Sequence, residues 1–183
     1  ELCCIRSLST EPINHDPAVT FLQTGSLLSR RPAMGSWLSY GLGSENANPP
    51  TFLVLLSGGG QPGPSRYWHN GFLPSKHQGV QFQSKGDPVL YLSNPQGISH
   101  ENRGKMIERI SELNRLRHLQ VGDPEIEARI DAFQLAYRMQ ASVPDLMDIS
   151  RESPATLEAY GAKPGGGSFA NNCLLARRLA KAG

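Results

Sequence analysis

Apolar positions recur along the chain in two different rhythms. Between residues 101 and 151 the rhythm is helical: Met106, Ile110, Leu113 and Leu116 form one run, and Ile126, Ile130, Phe133 and Tyr137 form a second, each with the three-to-four-residue period of a helix that buries one face. The break between the runs is marked by local chemistry. Gly122 suits a helix end, Asp123 an N-cap and Pro124 a first helical position, with Glu125 and Glu127 near the positive end of the next helix dipole. Two helices joined this tightly predict an antiparallel hairpin. A shorter helix is expected after Ser153-Pro154, ending at Tyr160-Gly161. The last starts near Ser168, after the flexible triplet Gly165-Gly166-Gly167, and sets Arg177, Arg178 and Lys181 near its C-terminus, where cations are favoured.

The first hundred residues follow another pattern. Leu2 to Ile5 and Phe52 to Leu56 are continuous apolar runs bounded by turn residues, as in strands covered on both faces of a parallel sheet. Between them Pro17–Thr24 and Pro32–Leu42 have helical character, each opened by a proline. Strand, helix, helix, strand is the order of an α/β layer structure. From Ser57 to Gly97 the pattern dissolves into Gly and Pro punctuation, and a stretch of that length reads as a functional or covering loop.

Charge sharpens this division. Residues 1–100 carry 11 charged side chains, residues 101–151 carry 17 and residues 152–183 carry six, so the middle block is the exposed helical part. We therefore expect an α/β core with a covering loop over 57–97 in residues 1–100, an inserted helical hairpin over 101–151, and a return to the core over 152–183. The 183 residues suffice for a core. A net charge of +2 argues against a nucleic-acid partner held by phosphate contacts. No apolar run approaches the roughly 18 residues of a membrane span. The chain opens on Glu1-Leu2-Cys3-Cys4-Ile5 with neither Met nor a basic leader and stops just after a helical run, which we read as an internal segment of a longer protein.

Candidate chemistry is sparse. Cys3, Cys4 and Cys173 include no Cys-x-x-Cys pair and read as buried thiols. Gly58-Gly59-Gly60 lacks the Gly-Lys-Ser or Gly-Lys-Thr of a phosphate loop, and the five histidines show no close metal-ligand pair. The most informative junction is Asn14-His15-Asp16-Pro17, a polar loop feeding a helix after the first expected strand, where α/β proteins bind anions. Asn14 is suited to donate to an oxyanion, His15 to ligate metal or shuttle a proton, and Asp16 to take a metal. The alternative is an ordinary helix start, with Asp16 as N-cap, Pro17 at the first helical position, and Asn14 and His15 bonding the loop. Trp37, Tyr40, Tyr67, Trp68 and Phe72 read either as an aromatic wall for a flat ligand such as a sugar, or as helix core with a pinned loop. Arg30-Arg31 and Arg177-Arg178 read as solvated surface.

Longer motifs carry a resemblance. Asn14-His15-Asp16-Pro17-Ala18, Gln23-Thr24-Gly25, the run from Arg31-Pro32-Ala33 to Gly41-Leu42-Gly43-Ser44, Gly71-Phe72-Leu73-Pro74-Ser75-Lys76 with Gly79-Val80-Gln81-Phe82, Gly86-Asp87-Pro88-Val89-Leu90-Tyr91-Leu92, Asp123-Pro124-Glu125-Ile126, Ala136-Tyr137-Arg138-Met139-Gln140 and Asn172-Cys173-Leu174-Leu175-Ala176-Arg177-Arg178 together resemble an uncharacterised bacterial family, the sulfatase-like domain of unknown function fifteen-oh-one. The resemblance covers essentially the whole chain. It implies an alkaline-phosphatase-like α/β fold, a central sheet with helices on both faces, in an exported protein of the periplasm or cell exterior.

It also implies hydrolysis of phosphate or sulfate esters of a small molecule or polysaccharide, at a centre of divalent metal, zinc or calcium, completed only in the full-length protein. Carried onto this chain, it places Asn14 and His15 as catalytic, His15 and Asp16 as metal ligands, and Trp37 and Lys76 against substrate. The chain departs from active relatives at the nucleophile, because no Ser, Thr or Cys lies within Asn14–Pro17. Thr20 should sit a turn into the helix, poorly placed to attack. The runner-up reading is a non-catalytic relative that binds a ligand or partner in the same cleft.

Overall fold

The computed structural model describes residues 3–28, 30–44, 50–57, 65–83, 89 and 93–182. Helix α1 spans His15–Thr24 and α2 Met34–Leu42; strand β1 spans Leu53–Leu55 and β2 Val80–Phe82; α3 spans His100–Val121, α4 Pro124–Met147, α5 Pro154–Tyr160 and α6 Phe169–Lys181. Short 3-10 turns occupy Ser65–Trp68, Ser75–His77 and Ile149–Arg151. The fold is therefore mixed helix and strand.

Helix boundaries follow side-chain capping. Ser99, Asp123, Ser153 and Ser168 each accept a bond from a first-turn backbone N–H, at Asn102, Glu125, Thr156 and Asn171 respectively, which satisfies donors a helix start leaves without partners. Gly25, Gly122 and Gly161 end their helices in the left-handed conformation. Pro124 opens α4 as expected, while Pro144 sits inside its last turns.

The sheet is small and differs from the expected one. β1 pairs in parallel with β2, with Leu53 opposite Val80, Val54 opposite Gln81 and Leu55 opposite Phe82. The partner of the expected strand at 52–56 thus comes from within the covering loop, where Gly79 on one side and turn residues on the other hid a three-residue strand. The expected strand at Leu2–Ile5 is not formed over 3–5: Cys3, Cys4 and Ile5 are exposed and unpaired, and their thiols are not buried; Leu2 lies outside the described residues. A broad central sheet with helices on both faces is therefore not seen among the described residues. Of the loop, Gly58-Gly59-Gly60 and residues 61–64, 84–88 and 90–92 also lie outside them.

The core is built where β1 and β2 meet α4 and α6. Phe82, Met139, Val143 and Leu179 form one buried cluster, with Leu53, Leu55 and Val80 packed on it. A second joins Ile149, Ala162, Leu174 and Leu175. Leu55 and Met147 touch both, so strand, hairpin and last helix share one apolar interior.

Helix α3 packs on a face other than the one its large apolar residues suggest, whereas on α4 Ile130 is buried and Ile126 and Tyr137 are half-buried, as expected. Met106, Ile110, Leu113 and Leu116 are all exposed, and so is Phe133 on α4; Ile107 and Ser111 are buried instead. Small residues on that face let the helices approach closely. A β-carbon added at Gly104 would lie 2.7 Å from the Tyr137 hydroxyl oxygen, and the Tyr137 ring stacks on His100 at 4.4 Å.

Two expectations about the C-terminal part are also revised. Arg178 is not solvated surface: its guanidinium donates to the carbonyls of Leu146 at 2.7 Å and Asp145 at 2.9 Å and to Glu152 at 2.6 Å, tying α6 to the end of α4. The glycine triplet is held by Asn171, whose side chain bonds Lys163 N and O at 2.9 and 2.8 Å and Gly166 O at 2.6 Å.

Candidate functional site

Asn14, His15 and Asp16 open α1, and all three are exposed. The N-cap is Asn14, and its side chain makes no capping bond, so Asp16 is not the cap and Pro17 is the third helical residue rather than the first. The Asp16 carboxylate instead accepts one bond from the Tyr67 hydroxyl and another from the Arg66 guanidinium. Those bonds, Tyr67's first, hold its carboxyl below the ordinary 3.8, while the same bond pushes the Tyr67 phenol up. Thr20 is buried and donates to the Asp16 carbonyl at 2.9 Å, so its hydroxyl is turned back into the helix. Among the described residues no group of three or more His, Cys, Asp or Glu stands close enough to hold a metal ion. Each oxygen of Asp16 is engaged by one bond, from Arg66 and from Tyr67.

A cleft lies elsewhere, between the Ser75–His77 turn with β2 on one side and the α3–α4 hairpin on the other. It has a volume of about 780 Å³, and its lining includes Ser39, Lys76, His77, Arg103, Asp131 and Tyr137. Lys76 is thus a lining residue, whereas Asn14, His15, Asp16 and Trp37 are not. Neither Lys76 nor Arg103 forms an ion pair among the described residues. Arg138 lines the cleft as well, and Asp131 is the one carboxylate found on it among those residues. Among the described residues, Lys76 and Arg103 therefore face one lining carboxylate, Asp131.

His77 sits at the junction of three elements. Its Nδ1 lies 2.9 Å from the Ser39 hydroxyl, on the buried side of α2, and its ring meets the Tyr40 ring edge-on at 5.5 Å. Burial, and after it the neighbouring Lys76 charge, hold the imidazole below its ordinary 6.5. At neutral pH it is an uncharged hydrogen-bonding group beside a fixed ammonium. Gly79 lets this turn approach the body of the protein, since a β-carbon there would fall 2.8 Å from the Trp68 β-carbon.

The aromatic residues divide. Trp68 is buried, pinning the loop as expected. Trp37 and Tyr40 are not helix core: they are 45% and 57% exposed, and Phe72 beside them is 61% exposed. Trp37 meets Phe72 at 5.6 Å and Tyr40 at 6.3 Å, edge to face in both cases.

Sequence reasoning flagged Lys76 and Trp37 but missed Ser39, His77 and Arg103. His77 follows Lys76 directly, but its pairing with Ser39 spans 38 residues and has no local signature. The bonds from Arg66 and Tyr67 to Asp16 span 50 and 51.

No curated protein and no solved structure matches the chain. Residues 1–183 match a family described as "Protein of unknown function (DUF1501)", with the match running the full length of the sequence. The chain belongs to that family of unknown function.

Proposed function

We propose that the protein handles phosphate or sulfate esters, as a member of the hydrolase-like class its motifs resemble, and that the cleft under the hairpin holds the ester's anionic group. One observation carries the reading: Lys76 and Arg103, from two separate elements, line one cleft with no carboxylate paired to either among the described residues. Cations held at a partly enclosed surface attract an anion more strongly than the same charges in open water, because screening there is weaker. His77, neutral at pH 7, supplies a hydrogen-bonding group beside them. In this proposal any zinc or calcium is held by groups other than Asp16, and the periplasmic or extracellular location implied by the resemblance is kept.

A second reading, ligand binding without hydrolysis, is favoured by a specific observation. Asp16 and Thr20, the carboxylate and hydroxyl nearest the expected nucleophile loop, are both committed to internal bonds. Calorimetric titration with inorganic sulfate and phosphate tests the anion site. Turnover of p-nitrophenyl sulfate and phosphate, with and without added zinc or calcium, separates the two readings. The proposal expects anion binding that weakens in Lys76→Ala and in Arg103→Ala. Binding that is unchanged in both variants refutes it.

A further inference from the structure

The exposed aromatic residues and the cationic cleft form one continuous surface. Phe72 touches Trp37, Trp37 touches Tyr40, and Tyr40 touches His77, each ring edge-on to the next at 5.5 to 6.3 Å. His77 and Lys76 then line the cleft. We propose that Phe72, Trp37 and Tyr40 form a stacking platform for the sugar rings of an anionic saccharide whose charged group lies against Lys76. The inference rests on the anion-binding reading above and extends it to the class of ligand.

Three physical points support it. Large aromatic side chains normally gain most by burial, yet these three are between 45% and 61% exposed while Trp68, in the same region, is 7% exposed. An aromatic face carries negative charge density, so it attracts the polarised C–H groups on the face of a pyranose ring, while the sugar hydroxyls stay in water. Trp37 packs perpendicular to Phe72 and Tyr40, at 74° and 80°, and is still 45% exposed. At its His77 end the platform adjoins the Lys76 cation, and that charge selects a sulfated or phosphorylated chain over a neutral one. The outer face of α2 additionally exposes Met34, Leu38 and Leu42, which a second copy of the chain would cover, so self-association is one outcome of the test.

The test compares four probes by calorimetry and by the fluorescence of Trp37: dextran sulfate, neutral dextran, poly(vinyl sulfate) of matched charge, and inorganic sulfate. Trp68 lines the cleft, so the Trp37 signal is taken as the difference between the unaltered protein and Trp37→Ala. The expected result is tighter binding of dextran sulfate than of poly(vinyl sulfate), by about tenfold, which corresponds to a single well-made stacking contact. Trp37→Ala and Phe72→Ala should remove that tenfold and leave inorganic sulfate binding unchanged. Both side chains are exposed, so these variants keep the fold, as circular dichroism will check.

Equal affinity for the two polymers, or a sugar preference that survives Trp37→Ala, overturns the platform while the cleft reading stands. Loss of all sulfate binding in the unaltered protein overturns both. Concentration-dependent dimerisation that disappears in Trp37→Ala, without any preference for dextran sulfate, assigns the patch to a second copy and overturns the saccharide.

Discussion

Replacing Arg178 by Ala is the most revealing test of how the last helix is held. The guanidinium makes three charge-assisted bonds: Nε to the Leu146 carbonyl at 2.7 Å, Nη2 to the Asp145 carbonyl at 2.9 Å and Nη1 to Glu152 at 2.6 Å. Side-chain exposures are 18% for Arg178 and 20% for Glu152, so solvent screens the pair far less than it screens the surface pairs Lys105–Glu101 and Arg109–Glu112. Hydrogen bonds to charged groups are worth about 1.5–3 kcal/mol each, but three made by one group do not add in full. Truncation also leaves Glu152 half-sheltered without a counter-charge, a change that costs about 3–5 kcal/mol in fully buried pairs. Scaled for partial burial, we expect a loss of about 3 kcal/mol. For a chain of this size that is a fall in Tm of roughly 6–12 °C. Arg178→Lys keeps the charge but loses the planar fork, so it should fall between the two. Differential scanning calorimetry of Arg178→Ala, Glu152→Gln and the double variant gives the coupling directly, and it should exceed about 1 kcal/mol. A Tm within about 2 °C of the unaltered protein for Arg178→Ala would refute the reasoning and return Arg178 to solvated surface.

Lowering the pH should destabilise the protein through His77. Its folded-state pKa is depressed by burial and then by Lys76, so below 6.5 the unfolded chain takes up a proton that the folded chain refuses; stability is full above 6.5 and is lost as the pH falls through the folded value. Urea midpoints at pH 7.5 and pH 5 should show this drop, with a smaller drop in His77→Gln. Gly71 adopts φ of +60°, and a β-carbon there would lie 2.7 Å from the Arg30 carbonyl oxygen. Gly71→Ala should thus cost at least about 3 kcal/mol, the left-handed penalty plus a backbone clash. Gly122→Ala, left-handed but in open space, should cost about 1–2 kcal/mol, and equal urea midpoints for the two variants would contradict this. Phe82→Ala empties the centre of the main cluster and should cost about 3–5 kcal/mol, whereas Phe133→Ala, at a half-exposed position, should stay within about 1 kcal/mol of the unaltered protein by the same assay.

Helix boundaries were legible in the sequence because capping is local. Gly122-Asp123-Pro124, Ser153-Pro154 and Ser168 each put the needed oxygen or left-handed glycine within a few residues of the group it satisfies. The sheet was only half legible. Phe52–Leu56 contains β1, but β2 is three residues long and is defined by its pairing to β1, a contact no local pattern records. Leu2–Ile5 had the composition of a strand, yet over residues 3–5 no strand forms, and among the described residues the sheet holds β1 and β2 alone. The hairpin shows how periodicity misleads when side-chain size is weighted above shape. On α3, Ile110, Leu113 and Leu116 are exposed, whereas Ile107 and Ser111 are buried and Gly104 lies against Tyr137, Gly104 and Ser111 being small enough for close approach. At the candidate site, Lys76 and Trp37 were legible as residue types, but the pairing of Ser39 with His77 and the two bonds to Asp16 depend on chain segments brought together from 38 to 51 residues apart.

The claim that the cleft is an anion site rests on Lys76 and Arg103, and one measurement addresses it most directly: the calorimetric affinity of the protein for inorganic sulfate as a function of salt, with and without Lys76→Ala and Arg103→Ala together. The account predicts saturable binding that weakens as ionic strength rises and is lost in the double variant, while its circular dichroism and Tm stay unchanged. Sulfate binding of equal strength in the double variant would contradict it.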